Sequence, residues 1–468
     1  MSDYSTIDSP FVAELRELLR EEVRIDSDIL DKYSKDETAE LDAHRPEVVV
    51  FVRNASEVAA VMKLANAKRI PVTPRGAGTG LSGGAIPVYG GIVLSLEKMN
   101  EIVEFDEKNM MITVQPGVIT GDIQKLADSH GLVYAGDPCS SESSTIGGNV
   151  AENAGGNKVL KYGPTGSHVL SLEFVTAKGE IIRLGGKRLK DVTGFDLTHL
   201  LVGSEGTLGI ITEITIRLIP KQKYSVALLV PFDLFDDAVA AVPRLMTECG
   251  VLPSSLEFMD HASISTVCKF LNTDFPFQEA GAHLIIEVEG NSKDAIFEEY
   301  VSIGEKALEL GGQEVFVADN RNSREKLWKV RKSIAEALAG IRPVHCMEDV
   351  SVPTSSIPEL ISASNAIARD QHLDILSFGH AGDGNVHITF MNPDHPRSEW
   401  KNRLGRCLDK LYEITISLGG CITGEHGVGL KRKEAFMRTT DPALLSIVAS
   451  LKSVFDPNKI LNPGKIID

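Results

Sequence analysis

The sequence predicts an α+β protein whose pattern changes near its middle. Residues 45–220 are dense in glycine and in short apolar runs typical of β-strands. After Pro220 longer helical periods alternate with strands, as in an α+β unit. A chain of 468 residues is long enough for two or three folded units. We therefore expect units over 1–220, 221–420 and 421–468.

The first part is predicted to contain short strands around one clear helix. Asn54 followed by Glu57 is a helix start pattern, and Val58, Val61 and Ala65 continue it at helical spacing. The predicted strands cover 47–52, 70–73, 91–96, 112–114, 172–176 and 209–218. In the second part the predicted strands cover 226–230, 255–259, 282–288 and 314–317, and the predicted helices cover 234–249, 293–310, 323–339, 357–371 and 399–418. The last stretch, 433–468, is predicted to be helical before a final turn.

The charge balance argues against two classes of partner. The chain has 48 basic and 65 acidic residues, a formal net charge of −17. Nucleic-acid binding draws much of its affinity from a basic surface, so we expect no nucleic-acid partner. A polybasic membrane anchor is disfavoured for the same reason.

The N-terminus and the cysteines predict a cytoplasmic protein. The first ten residues lack the basic start and apolar core of a secretory signal, and no apolar run approaches the ~20 residues of a membrane helix. The six cysteines are Cys139, Cys249, Cys268, Cys346, Cys407 and Cys421. None is in a CxxC pair, so we expect reduced thiols and no iron–sulfur cluster bound by this chain.

The clearest local pattern is a glycine-rich loop from Pro74 to Gly84, with five glycines in its last nine residues. Glycine lets backbone N–H groups approach a phosphate closely. Two further glycine clusters follow, at 144–156 and 203–209, each with Ser, Thr or Asn. One such loop is better explained as a tight turn, but three in one unit favour a large cofactor that contains a pyrophosphate.

Gly78 to Gly83 also matches the dinucleotide fingerprint G-x-G-x-x-G. That fingerprint must open a helix inside a βαβ unit, whereas Pro87 and a further predicted strand follow here. The match therefore does not predict a Rossmann fold.

A second pattern, Gly379-His-Ala-Gly-Asp-Gly-Asn-Val-His387, predicts a β-hairpin with two histidines. Asp383-Gly384 is typical of a two-residue turn. Pairing across that turn places His380 directly opposite His387 on one side of the ribbon, with Cβ atoms about 4.5–5.5 Å apart. This geometry suits two ligands of one metal ion, and equally two half-buried histidines bonded to backbone.

A third ligand candidate, Glu425, stands beside His426 in Gly424-Glu-His-Gly-Val-Gly429. Two histidines and one carboxylate leave coordination positions open, which is typical of catalytic metal sites. Zn²⁺, Mn²⁺ and Fe²⁺ all accept this set. Sequence spacing alone cannot bring Glu425 to His380, so the grouping depends on a family resemblance.

Residues 45–220 resemble the FAD-binding domain of the vanillyl-alcohol-oxidase superfamily, through PRGAGTG, STIGGN and GSEGTLGII. Residues 220–468 resemble the C-terminal domain of FAD-linked D-2-hydroxy-acid dehydrogenases, through HAGDGNVH and GEHGVG. The resemblance implies a two-part FAD-binding domain over 1–220, a substrate (cap) domain with a metal site over 221–420, and a C-terminal segment over 421–468 that returns to the flavin domain.

The resemblance also implies the FAD-binding residues. In that family the first loop surrounds the pyrophosphate, the second lies along the flavin, and the third closes on the adenine side. The matching positions are Pro74, Arg75, Gly76, Ala77, Gly78, Thr79, Gly80, Pro138, Thr145, Gly148, Asn149, Gly155, Glu205, Ile211 and Asn462. The first loop has no histidine, and Cys139 precedes the position used by cysteinyl-flavin members, so we expect noncovalent FAD.

The implied reaction is oxidation of a small D-2-hydroxy acid to the 2-oxo acid, with hydride transfer to flavin N5. By the family match, the metal ligands are His380, His387 and Glu425, the catalytic base is His426, and the residue that holds the substrate carboxylate is Arg331. A lone arginine such as Arg331 is otherwise best explained as part of a solvated helix face.

The choice of substrate and electron acceptor is less constrained. Ala335 and Met347 match positions where dicarboxylate-oxidising members carry polar or basic residues, so D-lactate or glycolate is expected over D-2-hydroxyglutarate. An electron-transferring flavoprotein or an iron–sulfur subunit would serve as electron acceptor. Two other hypotheses are a zinc hydrolase, which leaves the glycine loops unexplained, and a non-catalytic flavin module, which leaves the histidines and Arg331 unexplained.

Overall fold

The computed structural model describes residues 4–39 and 41–467, and the chain divides into two compact units. The first unit comprises Met1–Gly155, Pro164–Lys221 and His426–Asp468, and the second comprises Gly156–Gly163 and Gln222–Glu425. Both units combine helices with sheets, which confirms the predicted α+β class. Within the described residues, none of the helices combines the length and the apolar character required to cross a membrane.

The first unit contains two main sheets and a pair of short strands. Its strands are β1 (Val23–Arg24), β2 (Val48–Phe51), β3 (Val72–Arg75), β4 (Ile92–Ser95), β5 (Ile102–Asp106), β6 (Met111–Val114), β7 (Leu132–Val133), β8 (Val169–Val175), β9 (Ile181–Gly185), β10 (Ile210–Arg217) and β11 (Ile219–Pro220). Its helices are α1 (Ser9–Leu19), α2 (Ser27–Lys32), α3 (Ala55–Lys68), α4 (Thr120–Ser129), α5 (Ile146–Glu152), α7 (Leu197–Leu201), α15 (Lys433–Thr439) and α16 (Pro442–Phe455). One sheet has the order β1-β2-β4-β3 and the other β5-β6-β10-β8-β9.

The β1-β2-β4-β3 sheet positions the first glycine loop, which follows β3 directly. β4 lies between β2 and β3 and runs parallel to both, and its residues are buried. Such continuous burial is typical of parallel strands covered on both faces. On one face α3 contributes Val58, Val61 and Met62 to the core. The predicted start of α3 is confirmed, because Asn54 Oδ1 accepts a hydrogen bond from Glu57 N at 3.0 Å.

The second unit is built on one seven-stranded antiparallel sheet with the order β15-β12-β14-β13-β17-β18-β16. Its strands are β12 (Tyr224–Phe232), β13 (Ser255–Asp260), β14 (Ala282–Gly290), β15 (Phe316–Ala318), β16 (His345–Ser351), β17 (Asp374–His380) and β18 (Asn385–Met391). Its helices are α6 (Val159–Tyr162), α8 (Phe235–Cys249), α9 (His261–Leu271), α10 (Lys293–Glu309), α11 (Arg321–Lys332), α12 (Ile334–Ile341), α13 (Ile357–Gln371) and α14 (Arg397–Ser417).

One predicted helix of this unit needs correction, and some elements of the unit were not predicted. The helix predicted over 323–339 is wrong as a continuous element, because the chain breaks at Ser333 into α11 and α12. Both helices, with α9, pack their apolar faces on the sheet, and the break lets Val330 and Ile334 join the same core. β16 and α9 were not predicted at all, and β16 carries residues of the candidate site.

Candidate active site

The first glycine loop presents a run of free backbone donors. No N–H group from Gly76 to Ser82 donates a hydrogen bond to another described residue. Backbone N–H groups left unpaired in a folded protein normally have a ligand or water as partner. Successive amides of this kind form an anion-binding concavity, so the loop fits a pyrophosphate.

The loops that the sequence singled out meet within the first unit. A Cβ added to Gly76 would lie 2.3 Å from Thr145 Oγ1, so the first and second loops are in direct contact there. The third loop reaches Pro74, whose ring would be 2.6 Å from a Cβ on Gly206. The Asn462 amide donates to the carbonyl oxygens of Gly84 at 3.0 Å and of Glu205 at 2.8 Å. The C-terminal turn therefore joins the first and third loops.

Several predicted cofactor residues use their side chains within the protein itself. The Arg75 guanidinium donates to Lys35 O at 2.7 Å and lies over the Tyr33 ring. The Asn149 amide donates to Thr120 Oγ1 at 2.5 Å. Their contribution to a cofactor is therefore expected from the backbone or from the remaining side-chain atoms. The Asn462 Oδ1 atom is buried and accepts no hydrogen bond from a described residue, so it is available to a ligand.

The other residues predicted to bind the cofactor lie in or near the same loops. Thr145 precedes α5, and Gly148 and Asn149 lie in its first turns. Ile211 is buried on β10 opposite Phe174, and Pro138 accepts the turn hydrogen bond from Ser141 N. Gly155 is the last residue of its segment of the first unit.

Glu205 holds the loop that begins at His426. Its carboxylate accepts hydrogen bonds from Val428 N at 2.7 Å and from Gly429 N at 2.6 Å. Burial raises the pKa of Glu205 to about 7, although these N–H donors and Arg432 act in the opposite direction. Glu205 was predicted from the sequence as a cofactor-binding residue only, and this second role was not predicted.

The histidine hairpin forms in a different register from the predicted one. His380 lies opposite Asn385, and His387 lies opposite Phe378, because the connection is a four-residue loop rather than a two-residue turn. The prediction of direct His380–His387 pairing is therefore wrong. The shift is by two residues, so both side chains still share one face of the sheet. Their ring centroids are 5.5 Å apart.

Glu425 completes a three-residue cluster in the second unit. Its Oε1 atom is 3.6 Å from His380 Nε2 and 3.3 Å from His387 Nε2. Two tetrahedral ligands of one Zn²⁺ at ~2.0–2.1 Å lie about 3.4 Å apart. These separations fit a divalent metal better than hydrogen bonds, and His380 Nε2 is buried without a hydrogen bond to any described residue.

Asp349 is a site residue that the sequence analysis missed. It lies opposite His387 on β16, and ligand atoms of Asp349, His387 and Glu425 come within 4.8 Å of one another. Its Oδ2 atom accepts from Thr423 Oγ1 and from the N–H groups of Gly424 and Glu425, at 2.9–3.1 Å. Because these donors occupy the carboxylate, Asp349 is better explained as the support of the Glu425 loop than as a ligand.

Arg331 reaches this cluster through Glu257, which the sequence analysis also missed. Glu257 Oε1 is 2.8 Å from His380 Nδ1, and Glu257 Oε2 accepts from Arg331 Nε at 3.0 Å. Arg331 is 2% exposed, so the solvated helix face is excluded for it. Of the other predicted positions, Met347 shares the β16 face with Asp349, whereas Ala335 is exposed on α12.

The electrostatics of the cluster keep its carboxylates charged. Burial raises the pKa of Glu425, but His380 and His387 hold it well below the usual glutamate value. Burial lowers the pKa of His380, yet Glu257 and then Glu425 raise it well above the ordinary histidine value. A buried histidine between two carboxylates is a position that favours positive charge, which a bound cation can supply.

Family models match both parts of the chain. The model described as FAD binding domain matches residues 46–185, and that of FAD linked oxidases, C-terminal domain, matches residues 221–466. The chain is 37% identical to a D-lactate dehydrogenase of Anaerostipes hadrus, over 99% of this chain and 98% of the relative. It is 40% identical to the glycolate oxidase subunit GlcD of Bacillus subtilis (strain 168), over 93% of this chain and 91% of the relative.

The chain belongs to the FAD-linked oxidase family. It is an FAD-linked oxidoreductase with the vanillyl-alcohol-oxidase type of fold, as the sequence resemblance implied. The fold is shared with p-cresol methylhydroxylase, at a TM-score of 0.81 and 19% identity, over 98% of this chain and 96% of that chain. The free N–H groups of the first loop agree with the FAD-binding domain of this family.

Proposed function

We propose that this FAD-linked oxidoreductase oxidises a small D-2-hydroxy acid to the corresponding 2-oxo acid with the assistance of a divalent metal. The observation that supports the proposal most strongly is the His380, His387 and Glu425 cluster, whose atoms are spaced for a metal. An arginine is linked to that cluster through Glu257. A cation beside a guanidinium suits a substrate with a hydroxyl group next to a carboxylate.

In this proposal each residue has one task. When bound, noncovalent FAD supplies the hydride acceptor at N5, and the cation lowers the pKa of the substrate hydroxyl. His426 takes the hydroxyl proton as general base, a task suited to a histidine whose reference pKa is ~6.5. Arg331 orients the carboxylate: a guanidinium has five N–H donors, and Glu257 occupies only one edge of it.

D-Lactate or glycolate is the favoured substrate. Met347 is apolar and shares the site face of β16, so it cannot pair with a second carboxylate. Ala335, the other position expected to matter, is exposed on α12 and has no polar side-chain group. Relatives are named for each of these substrates, and another, from Stutzerimonas stutzeri, is a D-2-hydroxyglutarate dehydrogenase at 32% identity. D-2-Hydroxyglutarate is therefore the second candidate.

The electron acceptor is proposed to be a second protein, either an electron-transferring flavoprotein or an iron–sulfur subunit. The GlcD relative supports this, because its name makes it a subunit of glycolate oxidase. Slow turnover with oxygen and fast turnover with an artificial acceptor are expected. If turnover with oxygen alone were as fast as turnover with the artificial acceptor, the proposal of a protein acceptor would be contradicted.

The test is steady-state turnover with an artificial acceptor on D-lactate, glycolate and D-2-hydroxyglutarate. The wild type should oxidise at least one of them, and His426→Ala should lose turnover while its FAD absorbance is retained. His380→Ala should lose metal and turnover together. Near-wild-type turnover of His426→Ala would show that His426 is not the base, and no turnover of any acid by the wild type would contradict the proposal.

A further inference from the structure

Glu257 stands between two groups that the proposed reaction needs. It lies on β13, next to β17, and its side chain is fully buried. One carboxylate oxygen is 2.8 Å from His380 Nδ1. The other accepts from Arg331 Nε at 3.0 Å and lies 2.8 Å from Arg331 Nη2. A single side chain therefore contacts both the candidate metal ligand and the candidate carboxylate binder.

We propose that Glu257 is a positioning residue that sets the ligating tautomer of His380 and the orientation of Arg331 at the same time. A carboxylate beside Nδ1 fixes the imidazole proton on that nitrogen and leaves the Nε2 lone pair for a metal. The second oxygen holds the guanidinium over the Phe378 ring, 4.9 Å from its centroid. The Arg331 part of the proposal rests on the proposed function, whereas the His380 part needs only a metal at this cluster.

The expected effects follow from the two-sided bonding of the carboxylate. Glu257→Gln keeps the size of the side chain but turns an NH₂ donor toward either His380 Nδ1–H or Arg331. Loss of the carboxylate that accepts a hydrogen bond from the other ring nitrogen of a metal-bound histidine weakens metal affinity by about 10–100-fold. The same substitution releases Arg331 and should raise KM for the hydroxy acid more than it lowers kcat.

Glu287→Gln is the matched control. Glu287 lies on β14 beside β13, it is also buried, and its two oxygens accept from Ser225 Oγ at 2.9 Å and from Trp328 Nε1 at 2.6 Å. Trp328 lies on α11, three residues before Arg331. This variant therefore weakens the anchoring of the same helix without touching His380, and it should leave metal affinity unchanged.

The experiment is a competition titration of Zn²⁺ between a chelating dye and the metal-free, FAD-loaded protein. Wild type and Glu287→Gln should bind Zn²⁺ equally, and Glu257→Gln about 10–100-fold more weakly. Glu257→Asp, which keeps the charge but is too short to reach both partners, is the second variant if the first does not fold. Wild-type Zn²⁺ affinity in a folded Glu257 variant would overturn the inference while leaving the proposed function intact.

A measurement on the wild type keeps the test independent of folding of the variants. In the Zn²⁺-loaded protein, ¹⁵N NMR of labelled histidines should show His380 protonated at Nδ1, with the resonance assigned by its loss in His380→Gln. A proton on Nε2 would overturn the inference. Absence of Zn²⁺ binding by the wild type would overturn both the inference and the metal-assisted reaction.

Discussion

Gly427, the residue after the proposed base, is the most informative position to perturb. It has a φ of +87°, and a Cβ added there would lie 2.2 Å from Glu152 Oε2 and 2.9 Å from Glu205 Oε1. Ordinary contact begins at 3.4 Å, so the loop and the Glu152 carboxylate would have to separate by about 1.2 Å. The Glu205 carboxylate cannot move away freely, because it accepts hydrogen bonds from Val428 N and Gly429 N.

We expect the loop rather than the Glu152 side chain to move, because Glu205 blocks it on the other side at 2.9 Å, so that Gly427→Ala displaces His426 by about 1 Å. A misplacement of that size costs on the order of 100-fold in rate, or ~2.7 kcal/mol in the activation free energy. The positive φ adds roughly 1–2 kcal/mol of backbone strain to the folded state. FAD should stay bound, because the substitution does not touch the first glycine loop.

The assay is kcat with saturating hydroxy acid and an artificial acceptor, per bound FAD. Gly194→Ala is the control: its φ is +82°, it lies in the same unit, and among the described residues beyond its chain neighbours no atom is within 4 Å of the added Cβ. It carries the same backbone strain without the overlap, and its kcat should match that of the wild type. A kcat of Gly427→Ala within threefold of the wild-type value would show that the position of His426 does not depend on this glycine.

Two further predictions concern buried charges. Burial raises the pKa of Asp260 to about 6, against hydrogen bonds that include those from Ser263 N and Ser377 N. A carboxyl whose folded pKa is raised binds its proton more tightly when folded, so its contribution to stability should fall by about 3 kcal/mol in total as the pH rises from ~3 to ~7, through the unfolded and then the folded pKa. The free energy of unfolding of Asp260→Asn, measured with urea, should not show this pH dependence. An unchanged slope of the free energy of unfolding against pH would contradict the prediction. Lys452 Nζ donates to Thr207 O at 2.9 Å and to the buried Asp456 carboxylate at 2.6 Å. Lys452→Met leaves that carboxylate without its cation and should lower the free energy of unfolding by about 3–5 kcal/mol, whereas a loss under 1 kcal/mol would show that Asp456 does not need it.

The fold could be predicted where one local pattern decides it. The helix start at Asn54 and most strands of the second unit follow directly from caps and apolar runs. The strand β16 was not predicted, because two acidic residues stand side by side in its sequence, HCMEDVS. Both are buried, Glu348 on one face of the sheet and Asp349 on the other, so polar contacts rather than apolar alternation stabilise this strand.

The candidate site could be predicted only in part, for a similar reason. The two histidines share a face in the predicted and the observed register alike, because pairing shifted by two residues preserves the side of the sheet. Glu257 is 123 residues from His380, and only the strand order β13-β17 brings them together. A glutamate inside the apolar strand SLEFMD was the available indication, because an unpaired buried carboxylate is costly.

The proposed reaction is tested most simply by the visible spectrum of the purified protein, recorded anaerobically before and after one equivalent of D-lactate per flavin. We expect a flavin band that bleaches with D-lactate, or otherwise with glycolate or D-2-hydroxyglutarate, and equal amounts of the 2-oxo acid. A flavin band that stays oxidised with all three acids would contradict the proposed reaction.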